Sequence, residues 1–297
     1  MKVGALVEWA LSMMLAPLVV GLIHFAKARL QGRQGPSPMQ PYRDLWKLTG
    51  KRSVWPETAS LVFGLAPYAM LIIYALLLGL VVSVRAAPGD ASGDLLTLIF
   101  LLALGRFVIG LASLDTGTPL AALGGSRAMF LHMLIEPAMV ALACAFALSL
   151  QSLQLEAARG SGAVSSLARL LFGGSLLGVI LLEAGRLPFD NPEAHLELTM
   201  IDKAIELDYS GPELAALEWA DAIRLTFFIL LLSFVVFPPG ISGPTEVLRF
   251  AVYPIAALAL AVWETTRPKY RLRGMMTAAL IPLVLALGAI LFGFIHH

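Results

Sequence analysis

The dominant pattern along this chain is a series of apolar runs separated by short polar segments. A membrane-spanning helix needs roughly 20 apolar residues, because the hydrocarbon core of a bilayer is about 30 Å thick. We therefore predict an all-α integral membrane protein with eight transmembrane helices and short interfacial helices in the cytoplasmic loops. The predicted spans are Val3–Phe25, Ala59–Val84, Leu95–Leu114, Met129–Gln151, Ser166–Leu182, Ala222–Phe237, Val247–Val262 and Gly274–Ile295.

Composition supports this class. Hydrophobic residues make up 58% of the 297 residues and charged residues 14%, with a mean hydropathy of +0.82. The net charge of +1 argues against nucleic acid as a partner, since the chain has no excess of positive charge to neutralise phosphates. The single cysteine, Cys144, excludes an internal disulfide and a cysteine-ligated iron–sulfur cluster. We expect it to be a small buried residue of the fourth span.

Basic residues are distributed unevenly between the loops. The loops predicted to lie outside contain only Arg85 and Arg159. The positive-inside rule therefore places both termini on the outer side of the inner (cytoplasmic) cell membrane, and the odd-numbered connections in the cytoplasm. The basic residues of the first and last connections are Lys27, Arg29, Arg33, Arg43, Lys47, Lys51, Arg52, Arg267, Lys269, Arg271 and Arg273.

A strongly acidic segment, residues 183–221, follows the fifth span on the predicted cytoplasmic side. Asn191 as N-cap and Pro192 at the first helical position predict a helix that ends near Leu207. Glu193 and Glu197 then lie on one face of it, because they are four residues apart. An ordinary solvated acidic loop is the alternative interpretation. The carboxylates are Glu183, Asp190, Glu193, Glu197, Asp202, Glu206, Asp208, Glu213, Glu218 and Asp221.

Two further amphipathic elements are predicted beside the spans. Ser210 with Glu213 three residues later resembles a capping box and predicts a second short helix. In the first loop, the prolines before residue 42 fix an irregular backbone. Tyr42–Leu48 then forms an amphipathic helix suited to the membrane interface.

Ionisable residues inside the spans cost about 2.5–3.5 kcal/mol each and need a reason. Arg106 in the third span and Glu136 in the fourth lie at similar depths, roughly 10–14 Å below the cytoplasmic surface at 1.5 Å per residue. We expect them to pair. His132 lies one turn from Glu136 and suits proton exchange near neutral pH. The alternative is a buried clamp that only fixes helix packing.

Several motifs of the acidic segment resemble one protein family. Glu-Ala-Gly-Arg-Leu-Pro-Phe-Asp from Glu183, Glu-x-x-x-Glu-Leu from Glu193 and Tyr-Ser-Gly from Tyr209 are similar to the signature loop of the complex I junction subunit (NADH dehydrogenase subunit 1/H family). His195 replaces a third glutamate of that pattern, and a short insertion precedes Tyr209. Both departures resemble the homologous membrane subunit of group 4 energy-converting [NiFe]-hydrogenases, of the formate hydrogenlyase and CO-induced type. The resemblance treats residues 1–297 as a single membrane domain, with 183–221 as its cytoplasmic junction loop.

The resemblance implies a proton relay. Glu136 aligns with a glutamate of the complex I polar path, Glu183 and Arg186 match a Glu-x-x-Arg motif, and Glu264 matches the end of the seventh span. Asp115 lies in the hydrogenase variant of a family motif. The candidate relay residues are Glu136, Glu183, Glu193, Glu197, Asp208, Glu264, His132 and Asp115, with Arg106 and Arg186 as charge partners.

By resemblance, we expect a non-catalytic subunit of a hydrogen-evolving complex that docks a peripheral redox arm and passes protons to antiporter-like membrane subunits. We expect no metal or cofactor in this chain. The NiFe centre and the iron–sulfur clusters are expected in its partners: the peripheral large and small hydrogenase subunits and an iron–sulfur protein. One alternative is a quinone-site subunit of NADH:quinone oxidoreductase, against which His195 and Arg273 argue. The other is a stand-alone ion transporter, which usually shows internal repeats.

The orientation is testable by labelling. Cysteines introduced at Lys51 and Lys203 should react with an impermeant maleimide only from the cytoplasmic side, because both lie in the predicted inner connections. A cysteine at Arg159 serves as the control, with the opposite labelling pattern expected. Labelling of Lys51→Cys or Lys203→Cys from the outer side would contradict the predicted orientation.

Overall fold

The computed structural model describes residues 3–86, 93–160, 166–185, 201–236, 245–266 and 272–296. Within them the chain is almost entirely α-helical. The helices are α1 (Val3–Leu30), α2 (Gln40–Thr49), α3 (Leu61–Ala86), α4 (Leu95–Asp115), α5 (Pro119–Leu150), α6 (Ser166–Glu183), α7 (Asp202–Glu206), α8 (Gly211–Val236), α9 (Thr245–Thr266) and α10 (Leu272–His296).

Four helices of the described residues are long and apolar enough to cross a membrane: α1, α3, α4 and α5. Shorter apolar stretches lie in α6, α9 and α10. Together they identify a multi-pass membrane protein, as the apolar runs of the sequence predict. The number of eight spans stays a prediction.

The start of α5 differs from the predicted start of the fourth span. The segment 119–127, which precedes the predicted span Met129–Gln151, is the beginning of this helix. Thr118 is its N-cap, with its side-chain oxygen accepting from Ala121 N at 3.4 Å, and Pro119 occupies the first turn. These residues start a helix before the apolar run begins, so α4 and α5 are joined only by residues 116–118.

The acidic segment also differs from prediction. A single helix over 191–207 is wrong, because the backbone at Ile201 is not helical (φ −119°, ψ −91°) and α7 begins only at Asp202. The N-terminal part of the expected helix lies outside the described residues. The second short helix is also wrong, since it forms the first turns of the long helix α8. The Ser210 hydroxyl instead accepts from Val54 N at 2.8 Å and donates to Val54 O at 3.0 Å.

Five helices form a closed ring in which each packs against the next: α3, α4, α5, α6 and α8. Outside the ring, α10 packs on α5 and α6, while α1 packs on α3, α8 and α9. The largest fully buried side chains include Tyr74 and Phe63 of α3 and Phe227 and Phe228 of α8. The ring determines which polar side chains share the interior.

Two prolines inside helices leave backbone carbonyls without their helical donors, because proline has no N–H. Pro67 in α3 frees the carbonyl of Phe63, and the Tyr209 hydroxyl donates to it at 3.3 Å. In α1 the corresponding proline is residue 17, and the Trp219 indole N–H donates to the freed carbonyl of Met13 at 3.3 Å. Neighbouring side chains satisfy such carbonyls in membrane helices. Both donors belong to residues 209–219, so the start of α8 is fixed to α1 and α3.

The first loop packs closely against the same region. Gly211 has φ +60°, and a Cβ there would lie 3.0 Å from the carbonyl oxygen of Arg52, so both the backbone conformation and the close contact favour glycine. The ring of Phe63 stacks on Tyr209 with centroids 4.1 Å apart. We call the end of the bundle that carries the first loop and residues 201–213 the junction end.

The predicted interfacial helix is present as α2. It has no buried residue, and Trp46 on its outer side is 84% exposed. It packs against α8 and α1, and the Tyr42 hydroxyl donates to the backbone carbonyl of Met14. A one-sided helix of this kind fits the boundary between lipid and water.

Cys144 is exposed on α5, so the prediction that it is buried is wrong. The surroundings of a membrane helix are apolar on the lipid side as well as on the packed side. An apolar sequence context therefore does not identify the buried face.

The proline-freed carbonyl of α3 gives a stability prediction. Tyr209→Phe should destabilise the purified chain by about 1 kcal/mol, because the buried carbonyl of Phe63 loses its donor. In a Pro67→Ala background the backbone N–H of residue 67 supplies the donor, so the same substitution should cost much less. Thermal unfolding of the four variants in detergent measures the cycle. An equal cost in both backgrounds would show that the hydroxyl does not serve this carbonyl.

Candidate functional site

The most deeply buried ion pair joins Arg106 of α4 to Glu183 of α6. Arg106 Nη1 lies 2.9 Å from Glu183 Oε1, and the two side chains are 4% and 0% exposed. Arg106 Nε also donates to the carbonyl of Leu102 at 3.3 Å. Removing one partner of a buried pair leaves an unpaired charge and costs about 3–5 kcal/mol. The pair therefore ties α4 to α6.

The position of Glu183 explains why it needs a strong partner. It is the last residue of α6, and the chain turns away through Gly185 at φ +58°. A helix C-terminus has a partial negative charge, which disfavours a carboxylate there. The guanidinium of Arg106 compensates for both the helix dipole and the loss of water. Glu183 thus connects the buried pair directly to the acidic segment.

Glu136 of α5 is the third member of this cluster. Its Oε1 lies 3.7 Å from Arg106 Nη2, so the pairing expected from matched depths is present. Glu183, which the resemblance placed in a Glu-x-x-Arg motif with Arg186, is nevertheless the nearer carboxylate. The Glu136 side chain is 49% exposed, on the outer surface of the bundle. One guanidinium therefore serves a fully buried carboxylate and an accessible one.

His132 lies one turn before Glu136 but on the interior side of α5. It is 8% exposed and interacts electrostatically with Glu183 and Arg106. Although the two residues are one turn apart on α5, His132 is buried and Glu136 is half-exposed. His132 belongs to the buried side of the cluster.

A second buried arginine, Arg224 of α8, was not identified from the sequence. It is 7% exposed, with Nη2 at 3.0 Å from Asp221 Oδ1 and 3.9 Å from Asp202 Oδ2. Its guanidinium carbon lies 5.7 Å from the centroid of the Tyr74 ring. The signal was available, since Arg224 follows Asp221 at the i, i+3 spacing of a helical ion pair within a predicted span.

Lys203 and Glu206 form an ion pair on α7 at the junction end. Burial raises the pKa of Glu206 to about 7, although the neighbouring Lys203 lowers it. A carboxyl group with such a pKa exchanges protons near neutral pH. Glu206 was not among the candidate relay residues, because the sequence did not show that its side chain is buried.

Two of the predicted relay residues hold helix ends. Asp115 Oδ2 accepts from Ser60 N and Ser60 Oγ, both at 2.8 Å, and from Phe63 N at 3.2 Å, at the start of α3. Asp208 accepts from the hydroxyl of Thr118, the N-cap of α5. These contacts fix the junction end. A part for Asp115 and Asp208 in proton transfer stays a prediction.

The other candidates lie apart from this cluster or outside the described residues. Glu264 Oε2 is 3.2 Å from Lys27 Nζ, with the carboxylate side chain only 9% exposed, so the pair ties α9 to α1. Arg186, Glu193 and Glu197 lie outside the described residues.

Each helix of the closed ring has at least one buried ionisable side chain, and five of them, one from each helix, lie in the interior. These are Tyr74 of α3, Arg106 of α4, His132 of α5, Glu183 of α6 and Arg224 of α8. The charges alternate in sign: the carboxylates of Asp221 and Asp202 contact Arg224, and Glu183 contacts Arg106. In such an arrangement, a change of protonation at one carboxylate alters the proton affinity of its neighbours.

Comparisons with known proteins identify relatives of this chain. Hydrogenase-4 component C of Escherichia coli (strain K12) is 34% identical over 226 residues, which cover 74% of this chain and 70% of that protein. Formate hydrogenlyase subunit 4 of the same organism is 30% identical over 280 residues, 86% of this chain and 87% of that one.

A solved structure shares the fold. A chain of the membrane-bound sulfane sulfur reductase, an archaeal respiratory membrane complex, matches with a TM-score of 0.81 at 20% identity. The match covers 97% of this chain and 98% of that one. The family model described as NADH dehydrogenase matches residues 3–294. The chain therefore belongs to the NADH dehydrogenase family of complex I subunit 1/H-like membrane proteins.

Proposed function

We propose that this chain is the membrane-anchoring and proton-coupling subunit of a hydrogen-evolving [NiFe]-hydrogenase complex. The relatives named as hydrogenase-4 and formate hydrogenlyase components support the class of complex. The observation that carries the proposal is one buried guanidinium, that of Arg106, shared between the carboxylates of Glu183 and Glu136. The chain docks the peripheral redox arm and relays protons toward antiporter-like membrane subunits.

The shared guanidinium provides the relay step. When both carboxylates are ionised, the three groups have one excess negative charge, and like-charge repulsion favours uptake of one proton. A proton on Glu183 leaves Arg106 paired with Glu136 through its other nitrogen. A proton on Glu136 restores the 2.9 Å pair with Glu183. The proton moves between the two carboxylates without leaving Arg106 unpaired.

The junction end supplies the input. Glu206, with its pKa near neutrality, exchanges protons on the side where the peripheral arm docks. Asp202 and Asp221 surround Arg224 between that surface and the interior. A redox-linked change of charge in the docked arm alters the local potential at these groups. The change reaches Glu183 through the interior of the ring.

The outer surface beside Glu136 is the proposed output. Phe130, Met133 and Val140 of the same helix are exposed, whereas Glu136 places a half-exposed carboxylate among them. A charged group facing lipid costs about 2.5–3.5 kcal/mol. A neighbouring membrane subunit that covers this surface with a polar or ionisable side chain removes the cost and receives the proton. We assign this place to an antiporter-like subunit.

The peripheral arm docks on the junction end of the chain, at the cytoplasmic side of the inner membrane. The first loop is already held against residues 209–211 by the contacts of Val54 and Arg52. In this proposal Glu193 and Glu197 face the first loop and the partner. The NiFe centre and the iron–sulfur clusters belong to the peripheral subunits, and this chain takes no part in electron transfer.

A relay and a passive clamp respond differently to charge removal. Arg106→Gln alone should weaken assembly of the complex, because it leaves the buried Glu183 carboxylate without its nearest partner. The double variant Arg106→Gln with Glu183→Gln removes both charges and should restore assembly. If the pair relays protons, the double variant should evolve hydrogen but form little pH gradient in inverted vesicles.

The comparison variant is Lys27→Gln with Glu264→Gln, which removes a similar ion pair outside the ring, at another candidate relay residue. It should retain assembly, and its pH gradient shows separately whether Glu264 belongs to the relay. Recovery of the full gradient in the Arg106/Glu183 double variant would show that the pair only fixes helix packing.

The acidic segment gives a separate prediction. Changing Glu193 and Glu197 together to Gln should leave membrane insertion intact and weaken attachment of the peripheral arm or its coupling to proton movement. A merely solvated pair is worth only about 0–1 kcal/mol. Copurification of the arm, hydrogen evolution and gradient formation measure the effect. Wild-type values for all three would identify the segment as a solvated surface.

A further inference from the structure

Three buried polar atoms from three helices of the ring have no hydrogen-bond partner among the described residues: Tyr74 Oη, Glu183 Oε2 and Arg224 Nε. Their residues are 1%, 1% and 7% exposed. Buried polar groups in folded proteins are nearly always hydrogen-bonded to protein or to ordered water. In a membrane interior the cost of leaving three such atoms unpaired is large. These atoms therefore indicate a bound polar molecule.

The three side chains surround one region inside the ring. The Arg224 guanidinium carbon lies 5.7 Å from the centroid of the Tyr74 ring. The Tyr74 hydroxyl packs against Gly105, where a Cβ would lie 3.1 Å from it. Gly105 directly precedes Arg106, which holds Glu183 at 2.9 Å. Tyr74 also interacts electrostatically with both Arg224 and Glu183. The phenol thus lies between the two arginine clusters.

The chemistry of the three atoms determines what they can bind. Arg224 Nε–H only donates, an ionised Glu183 Oε2 only accepts, and the Tyr74 hydroxyl does either. A cation would meet two buried arginines, and an anion would meet the Glu183 carboxylate. A small neutral molecule with both donors and acceptors satisfies all three atoms. Water has this chemistry, and buried water molecules commonly hydrogen-bond to polar groups that lack a partner in the protein.

We propose that Tyr74, Glu183 and Arg224 form a buried water-binding site that joins the Arg106–Glu183 pair to the Arg224–Asp221 pair. The bound water accepts from Arg224 Nε and donates to Glu183 Oε2, and the Tyr74 hydroxyl fixes its position. Tyr74 is thus a positioning residue. The relay residues predicted from the sequence include neither Tyr74 nor Arg224.

The site deepens the proposed function and rests on it for its role. A proton that reaches the water from the side of Asp221 is matched by release of another proton to Glu183, so no bond other than O–H forms or breaks. The water therefore completes the connection between the junction end and the shared guanidinium of Arg106. The water site can exist without taking part in proton transfer. The binding of water and its effect on the pH gradient are therefore tested separately.

Tyr74→Phe in the assembled complex tests the inference, because it removes the hydroxyl and keeps the ring against Arg224. Tyr68→Phe is the matched control, on the same helix but 40% exposed. A cryo-EM map of the wild-type complex that shows ordered water should contain a peak within hydrogen-bond distance of residues 74, 183 and 224. The peak should be lost in Tyr74→Phe. The initial rate of gradient formation per hydrogen evolved should fall by up to about tenfold, as expected for one hydrogen bond. Tyr68→Phe should change neither.

The outcomes separate the site from the proposed function. A wild-type map with no peak, or with a protein group in that position, overturns the water site. An unchanged peak in Tyr74→Phe overturns the role of the hydroxyl. If Glu183→Gln abolishes the gradient while Tyr74→Phe keeps it, the inferred connection fails and the proposed function stands. If Glu183→Gln keeps the gradient, the proposed function fails, and the map alone decides the site.

Discussion

An arginine inside a membrane bundle has to be paired, and the way Arg106 is paired constrains the rest of this structure. Its contacts with Glu183 and Glu136 join three helices, α4, α5 and α6, at the level of the guanidinium. They also place the end of α6 beside α4. A buried ion pair is weak as a source of stability, since apolar side chains of the same volume often do as well or better. Two carboxylates around one guanidinium are therefore better explained by a change of protonation during function than by the need to hold α4, α5 and α6 together.

The same constraint connects the interior to the junction end. Glu183 is followed within two residues by the turn at Gly185, so the acidic segment begins where the buried pair ends. Tyr209 and Trp219 anchor the far side of the segment to backbone carbonyl groups that prolines leave free in α3 and α1. Displacing this region would break those hydrogen bonds inside an apolar environment. In the proposed function, a partner that docks here acts on a fixed surface and its charge alters the electrostatic potential at Glu183.

The sequence was sufficient to predict where the long helices lie and which charged residues share a level. It was insufficient to predict which side of each helix faces the interior. Apolar run lengths located the helices, and the rise per residue brought Arg106 and Glu136 to one level. Membrane helices are apolar on all sides, so periodicity did not show that His132 faces inward while Cys144 faces outward. Arg224 was missed although it follows Asp221 at the spacing of a helical ion pair, and the packing of α8 shows that its charge lies inside the ring.

The carboxylates of the site fall into two groups according to their hydrogen-bond and ion-pair partners. Asp115 bonds to backbone N–H groups at the start of α3, and Asp208 bonds to the capping residue of α5, so protonating either would weaken a helix end. Glu183 and Glu136 share Arg106 instead, and a proton on one leaves the guanidinium paired with the other. Movement of a proton between these two glutamates therefore leaves the frame intact. The short aspartates suit helix ends, whereas the longer glutamates reach a common arginine from separate helices. In the proposed function, the same bundle combines a junction end held by hydrogen bonds with an interior that exchanges protons.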